Sequence, residues 1–288
     1  MVYIPFVVLS AVLLQLCTSV NSASIFFFYG GGTYSHKHAI WPLPSALADL
    51  GHNITFFSPH SRRPWTHPNI NDIVPEKLEK LLSVFHVSDK LQMRLAGEER
   101  MVWNTLSQWS IDICNTVLGD DDPVVKSIIN DSKFDLVFIN AAFGECAYIM
   151  AERWKAKVIL VDSTSVLPWF HDMLGLTVED NWVPDISSQF MYRMSFLDRL
   201  QNFFYSVMST YDRRTNLYPV LEQMMKGHLG VKDLKPFSEI EREKTDLVML
   251  NTHYSTDFAR ALPPNFVHIG GLQIWDSRVE KIPTVRNI

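Results

Sequence analysis

A histidine in a glycine-rich turn is the residue of this chain best suited to chemistry. His36 ends residues 30–36, which read Gly-Gly-Gly-Thr-Tyr-Ser-His. An imidazole has an ordinary pKa of about 6.5, so at neutral pH it can take a proton from a hydroxyl that attacks an electrophile. His36 is therefore a candidate general base. The alternative is a turn histidine that is simply exposed or locally hydrogen-bonded.

The glycines before this histidine also allow two interpretations. Backbone without a Cβ atom can approach a ligand closely, and a nearby helix start favours anionic groups. A tight turn that needs positive φ explains the same glycines without any ligand. The run is neither a phosphate-binding Walker motif nor a Gly-x-Gly-x-x-Gly dinucleotide motif, so the turn alone identifies no ligand.

Two further patterns suggest a metal site and a nucleophile elbow. His36 and His38 would point to the same side of an extended chain, and a metal-dependent hydrolase could use them with Asp162 as a further ligand. No other histidine is placed to help, so we predict no metal site. Residues 144–148 resemble a nucleophile elbow, but Tyr148 stands where its last glycine belongs. Cys146 is therefore predicted to be a small buried helix residue.

Composition predicts a globular chain. The 288 residues are 47% hydrophobic and 20% charged, which is enough apolar content for a full core. The net charge of −5 is spread along the sequence without a basic stripe. Nucleic acid is therefore excluded as a partner.

The amino terminus predicts entry into the secretory pathway. Residues 1–22 hold an apolar, uncharged run followed by small residues, which is typical of a signal peptide cleaved before Ala23. A run of roughly 15 apolar residues is shorter than the ~20 that span a bilayer, and no later segment is longer, so the mature chain is predicted to lack a membrane span. Two glycosylation triplets, at Asn53 and Asn130, agree with this route. Cys114 and Cys146 remain after cleavage, and the sequence allows either one disulfide bond between them or two free thiols.

Apolar runs and helical periodicities alternate along the chain. Strands are predicted at residues 24–29, 53–58, 70–74, 134–140, 158–163, 246–251 and 266–269. Helices are predicted from near Pro42 to residue 50, at 76–117 with a break near 96–97, at 145–154, and at 195–227 with an interruption near Arg214. Residues 166–190 lack a period and are predicted to form a long ordered loop that lines a site. The alternation predicts an α/β fold with a doubly wound parallel sheet, and residues 30–36 would lie at the strand ends where such sheets bind ligands.

Several blocks in order resemble animal family-one UDP-glycosyltransferases, invertebrate ones in particular. Together they cover essentially the whole mature chain. They are Tyr34-Ser35-His36, Trp41-Pro42-Leu43, Leu47-Ala48-Asp49, Gly51-His52-Asn53-Ile54-Thr55-Phe56, Phe134-Asp135-Leu136-Val137, Phe143-Gly144-Glu145-Cys146, Leu262-Pro263-Pro264-Asn265-Phe266 and Gly270-Gly271-Leu272.

The resemblance implies one lobe of a two-lobed enzyme, with a Rossmann-like domain on each side of a cleft. Residues 23–272 would be the acceptor-binding lobe and residues 273–288 the start of the interdomain linker. The donor-binding lobe, with its His-Cys-Gly and Asp-Gln signatures and membrane anchor, is expected to be absent. A UDP-sugar would then be a co-substrate only where that lobe is supplied, and no other cofactor is implied.

The resemblance also assigns roles to residues. His36 matches the family's general base, which deprotonates the acceptor hydroxyl as it attacks the anomeric carbon and displaces UDP with inversion. The family's partner aspartate is replaced here by Asn140, which can orient an imidazole but cannot compensate its charge. Asn140 is thus a satisfied polar residue, an orienting partner, or the mark of a weakened base, and Glu145 or Asp162 is a possible substitute carboxylate.

The remaining expectations concern ligands and location. Aromatic side chains suit a pocket for a small lipophilic acceptor, and the turn after the first strand would lie near the donor. The chain would reside in the endoplasmic reticulum lumen or be secreted, whereas family members are usually membrane-anchored. A secreted binding protein for lipophilic molecules, without transfer activity, is the alternative. The acceptor residues would be Phe143, Trp169, Phe170 and Trp182, and the donor-proximal ones Gly31, Gly32, Thr33 and Ser35.

Overall fold

The computed structural model describes residues 22–61, 67–83, 103–163, 166–177, 179–185, 188, 190, 193–230 and 233–275. Three predictions fall outside these ranges in whole or in large part. They are the signal peptide at residues 1–22, the helix break near residues 96–97 and the linker at residues 273–288.

Seven parallel strands form one sheet in the order β3-β2-β1-β4-β5-β6-β7. In chain order they are β1 (Ser24–Phe28), β2 (Asn53–Phe57), β3 (Ile70–Ile73), β4 (Leu136–Asn140), β5 (Lys157–Asp162), β6 (Thr245–Leu250) and β7 (Phe266–His268). The order runs outward in opposite directions from β1 and β4, so a crevice opens at their carboxyl ends. The predicted doubly wound parallel sheet is confirmed.

Ten helices are described around this sheet. They are α1 (Tyr34–Ile40), α2 (Pro42–Asp49), α3 (Glu76–Ser83), α4 (Trp103–Leu118), α5 (Pro123–Asp131), α6 (Cys146–Trp154), α7 (Phe170–Leu174), α8 (Phe196–Asp212), α9 (Tyr218–Leu229) and α10 (Phe237–Lys244). A π-helical turn, Arg213–Leu217, joins α8 to α9, and a 3-10 helix, Leu272–Trp275, follows β7. The predicted interruption near Arg214 is therefore confirmed as a local rewinding of one long helix.

β1 is apolar on both faces because both faces are covered. Phe26 and Phe28 point into a large cluster with α3 to α7, α9 and α10. Ile25 and Phe27 point into a smaller, aromatic cluster under α1 and α2. In the smaller cluster the ring of Phe27 stacks on Phe56 of β2 at 5.4 Å between centroids. The ring of Phe27 also stacks on Phe138 of β4 at 4.3 Å between centroids, so these contacts fix β2, β1 and β4 side by side and hence the strand ends that carry the site.

The structure corrects the predicted helices in four places. The first helix was expected near Pro42, but α1 begins at Tyr34, because burial of Lys37 and Ile40 stabilises a segment without an apolar period. Residues 166–190 are not wholly loop, since α7 lies within them. Two helices, α5 and α10, were not predicted at all.

None of the helices in the described ranges combines the length and the apolar composition needed to cross a bilayer.

The stacked ring of Phe27 gives a direct test of this packing. Phe27 is fully buried, so Phe27→Ala should lower the free energy of unfolding by about 3–5 kcal/mol, the usual cost of deleting a core phenylalanine ring. The matched control is Phe196→Ala, because Phe196 on α8 is 77% exposed and should cost almost nothing. Chemical denaturation of the three proteins measures both. Equal effects for the two substitutions would contradict the assigned core.

Candidate active site at the carboxyl ends of β1 and β4

The turn after β1 brings backbone and side chains into close contact. Gly32 has φ +92°, and a Cβ atom there would lie 2.6 Å from Nδ1 of His36. A Cβ atom on Gly31 would lie 2.6 Å from the side chain of Phe143. Glycine is thus required at both positions, since the His36 imidazole packs over one and the Phe143 ring over the other.

α1 places His36 in the first turn of a short helix. The helix has Thr33 as its N-cap residue, but no side-chain cap bond forms there. The hydroxyls of Thr33 and Ser35 instead lie 2.6 Å apart and bond each other. His36 therefore lies at a helix start directly after the glycine turn, at the carboxyl ends of the central strands.

The imidazole of His36 is partly buried, and in the part of the chain that the structure describes it lacks a hydrogen bond at one of its nitrogens. Its Nδ1 atom is buried and has no hydrogen-bond partner among the described residues. Burial, and secondarily the nearby His60, lower the pKa of His36 below its usual value of 6.5. The ring is therefore neutral at pH 7, the state in which an imidazole accepts a proton.

His60 is a neighbour that the sequence did not reveal. It follows β2, and its Nε2 lies 3.1 Å from the carbonyl oxygen of Gly32. The end of β2 is thereby tied to the glycine turn beneath His36. Its position after a strand, parallel to that of His36 after β1, was the only signal in the sequence.

The metal hypothesis assumed that His36 and His38 lie on extended chain, and this assumption is wrong. His36 and His38 lie on α1 and not on extended chain, so their side chains are separated by about 200° around the helix axis. They cannot both bind one ion from the same side. Within the described ranges, no group of three or more histidine, cysteine, aspartate or glutamate side chains is placed to hold a metal.

Asn140 ends β4 and is almost fully buried. Its Nδ2 donates to the carbonyl oxygen of Gly31 at 3.3 Å, and its Oδ1 accepts from the backbone of Ala142 at 3.4 Å. These bonds connect β4 to the turn that carries His36. They engage both ends of the amide, and neither goes to the imidazole.

Glu145, one possible substitute carboxylate, belongs to a buried ion cluster. Its Oε1 accepts from Arg213 at 2.8 Å, and the same guanidinium reaches Glu241 at 3.3 Å. The hydroxyl of Tyr218 donates to Glu241 at 2.8 Å. Burial raises the pKa of Glu241 to about 7, against the lowering effect of Arg213. Arg213 lies in the π-helical turn, so this cluster ties that turn to the start of α6.

Asp162, the other possible carboxylate, ends β5 and is buried. Burial and then the charge of Asp162 raise the pKa of the Tyr29 phenol well above its usual value. One electrostatic contact of Asp162 is thus with Tyr29, the residue that follows β1.

The four predicted acceptor aromatics lie in different environments. Trp169 is buried with Arg213 over its ring at 5.1 Å, and Phe170 is in the core against Phe266. Phe143 has φ +64° and packs against Trp109 with 5.5 Å between ring centroids. Trp182 is 42% exposed and donates to the carbonyl oxygen of Ala259. Only Phe143 adjoins the His36 turn through the contacts described here.

A cavity of about 220 Å³ lies beyond β5 and β6. Residues 166–185 form much of it, as the long segment predicted to line a site. Its wall combines apolar side chains such as Val183 and Phe258 with His171, Glu179 and Arg260.

Both cysteines of the described chain are free thiols and fully buried. Cys146 is on α6, as predicted. Burial, followed by a hydrogen bond with Cys146, raises the pKa of the Cys114 thiol well above its usual value. Cys114 is therefore not a nucleophile at neutral pH.

Known proteins are similar in sequence to this chain over most of its length. The family model described as "UDP-glucoronosyl and UDP-glucosyl transferase" matches residues 46–280. "UDP-glycosyltransferase UGT5" of Dactylopius coccus is 22% identical over 95% of this chain and 51% of its own length. Human "UDP-glucuronosyltransferase 3A2" is 26% identical over 83% of this chain and 46% of its own length.

A solved structure titled "Crystal Structure of CalG4, the Calicheamicin Glycosyltransferase" matches 87% of this chain and 52% of that one. The sequences are 12% identical and the TM-score is 0.42. A likeness this weak carries no argument.

The fold and the site thus define a Rossmann-like lobe with a histidine at the carboxyl ends of its central strands. With the family match covering residues 46–280, the chain belongs to the UDP-glucuronosyl and UDP-glucosyl transferase family. It spans about half the length of the curated relatives it matches.

The burial of His36 predicts its titration. Because folding lowers its pKa, the unfolded chain binds the proton more tightly, and the contribution of His36 to stability is lost as pH falls below about 6.5. NMR of the ring protons should give a midpoint below 6.5, with the signal assigned by its absence in His36→Gln. His36→Gln should also flatten the decline of stability between pH 7 and pH 5. A midpoint above 6.5 would contradict the assigned environment.

Proposed function

We propose that this lobe binds a small lipophilic acceptor and that His36 is the general base of sugar transfer from a UDP-sugar. The imidazole takes the proton of the acceptor hydroxyl while the oxygen attacks the anomeric carbon, and UDP leaves with inversion at that carbon. In this proposal the donor is bound by a second lobe, and the additional length of the relatives is enough for such a lobe. The turn at Gly31, Gly32, Thr33 and Ser35 faces that donor.

One observation carries the proposal. In a member of this family, Nδ1 of His36 lies at the carboxyl end of β1, buried and without a hydrogen-bond partner among the described residues. A neutral imidazole with an unengaged nitrogen is what a general base requires before substrate binds.

The surroundings of His36 bear on which acceptors react. Both ends of the Asn140 amide are hydrogen-bonded, to the backbone of Gly31 and of Ala142. The carboxylate of Glu145 is bound to Arg213. No carboxylate in these contacts compensates an imidazolium, so the protonated ring is poorly stabilised. The weaker base suits acidic hydroxyls, and we propose phenols, with a pKa near 10, ahead of aliphatic alcohols.

The first test removes the base in a protein that carries both lobes. His36→Ala should lower kcat for glucosyl or glucuronosyl transfer to a lipophilic phenol by about 100-fold or more, the usual contribution of a general base. Binding of the UDP-sugar should not change. His38→Ala is the matched control, since His38 is exposed on the same helix. Transfer by His36→Ala at the rate of the His38→Ala control would reject the proposal.

A second test restores the missing charge. Asn140→Asp should raise kcat by about tenfold with an aliphatic alcohol and less with a phenol, because a carboxylate stabilises the imidazolium that forms. Asn115→Asp, at an exposed position of α4, makes the same charge change elsewhere. Rates for matched phenol and alcohol acceptors measure the difference. An equal or lower rate with both acceptors would argue against the assigned role of charge.

We also propose that the protein enters the secretory pathway, in the endoplasmic reticulum lumen or beyond. Asn53 and Asn130, the asparagines of the two glycosylation triplets, are both exposed, which supports their access to the glycosylation machinery. Protein made in eukaryotic secretory cells should shift in a gel after treatment with a peptide N-glycosidase. The shift should vanish in Asn53→Gln/Asn130→Gln, and its absence in the unmodified protein would reject this location.

A further inference from the structure

Lys37, the residue after the proposed base, is buried to an unusual degree. Its side chain is 1% exposed, although burying an ammonium group costs several kcal/mol unless it is paired. Here all three protons have acceptors. Nζ donates to Oγ of Ser58 at 3.0 Å, to the carbonyl oxygen of His60 at 2.5 Å and to Oδ1 of Asp72 at 2.5 Å.

The same ammonium group lies over aromatic rings. Its Nζ is 4.7 Å from the ring centroid of Phe56 on β2 and 5.4 Å from that of Trp41 between α1 and α2. Cation–π attraction of this kind is strongest where water is excluded. One side chain therefore connects α1 to the strand ends of β2 and β3.

α1 needs such an anchor more than a longer helix would. It has seven residues and no side-chain cap bond at Thr33, and a helix of two turns is not stable in isolation. Its buried residues are Lys37 and Ile40. The face that α1 turns toward the sheet is therefore set by these two side chains.

The face of α1 decides where the imidazole points. His36 precedes Lys37, so the two side chains are about 100° apart around the helix axis. Nδ1 of His36 has no hydrogen bond of its own within the described residues that could fix the ring. The contacts of Lys37 also reach the turn below, since His60 accepts from Lys37 and its ring contacts the Gly32 carbonyl.

We propose that Lys37 is the positioning residue of this site, holding His36 over the glycine turn through its bonds to Asp72, Ser58 and His60. The inference rests on the proposed function of His36 for its catalytic meaning. A buried ion pair adds little stability compared with apolar side chains of similar size. What Lys37 and Asp72 add is a single orientation of α1, because the three donors of an ammonium group demand three acceptors at fixed places.

The first experiment reads the position of His36 without any transfer reaction. In the 288-residue chain, Lys37→Met keeps the length of the side chain and removes its donors. We expect the NMR titration midpoint of His36 to rise toward 6.5, because the ring gains water when α1 turns. Lys80→Met is the matched control, since Lys80 pairs with Glu76 on α3 with both side chains more than 70% exposed.

A milder variant covers the case in which Lys37→Met does not fold. Asp72→Asn keeps an oxygen acceptor for Lys37 and removes the charge, and it should move the His36 midpoint in the same direction by a smaller amount. A folded Lys37→Met with the titration and ring contacts of the unmodified chain would overturn the proposal. So would an unfolded Lys37→Met combined with an unchanged midpoint in Asp72→Asn.

Kinetics separate this inference from the proposed function. In a protein with both lobes, Lys37→Met should lower kcat about tenfold or more with little change in KM for the UDP-sugar, and Lys37→Arg should recover part of it. A loss of kcat without any movement of His36 would make Lys37 merely structural and overturn its positioning role. A shifted His36 midpoint in Lys37→Met, together with normal transfer by His36→Ala, would support the positioning role of Lys37 and reject the proposed function of His36.

Discussion

The parallel pairing of β1 with β4 is the constraint on which the site depends. Phe28 lies opposite Ile139 in this pair, so the residues that follow the two strands emerge side by side. The strand order diverges from this pair toward both edges of the sheet, and the connections leave in opposite directions, which opens a crevice there. Asn140 and the glycine turn meet in that crevice through a backbone-directed hydrogen bond.

Burial then does two things to the histidine at this edge. It lowers the pKa of His36, so the ring is neutral at pH 7, and it keeps Nδ1 away from solvent water. In the proposed transfer, the protonated ring gains little charge compensation from these two residues, since Asn140 is neutral and Glu145 is engaged by Arg213. Lys37 holds the helix that presents His36, through its bonds to Ser58, His60 and Asp72.

The central strands β1, β4 and β5 could be predicted from the sequence because a strand covered on both faces is a nearly continuous apolar run. Their observed ends differ from the predicted ones by at most two residues. α1 could not be predicted, because its stability comes from the contacts of Lys37 with distant residues and not from a period of its own. α5 did carry a signal, in Asp122 as N-cap residue and Pro123 at the first helical position. His36 could be singled out from its type and place, whereas the environment of Asn140 required the fold.

The most direct measurement of the central claim is the chemical reactivity of His36 with and without an acceptor. Mass spectrometry can follow the rate at which diethyl pyrocarbonate modifies each histidine of the 288-residue chain, with His38 as an internal reference on the same helix. We predict that a saturating lipophilic phenol slows modification of His36 by about tenfold and leaves His38 unchanged, because the phenol hydroxyl then occupies the imidazole nitrogen. Equal reactivity of His36 in the presence and absence of the phenol would contradict its place in an acceptor site.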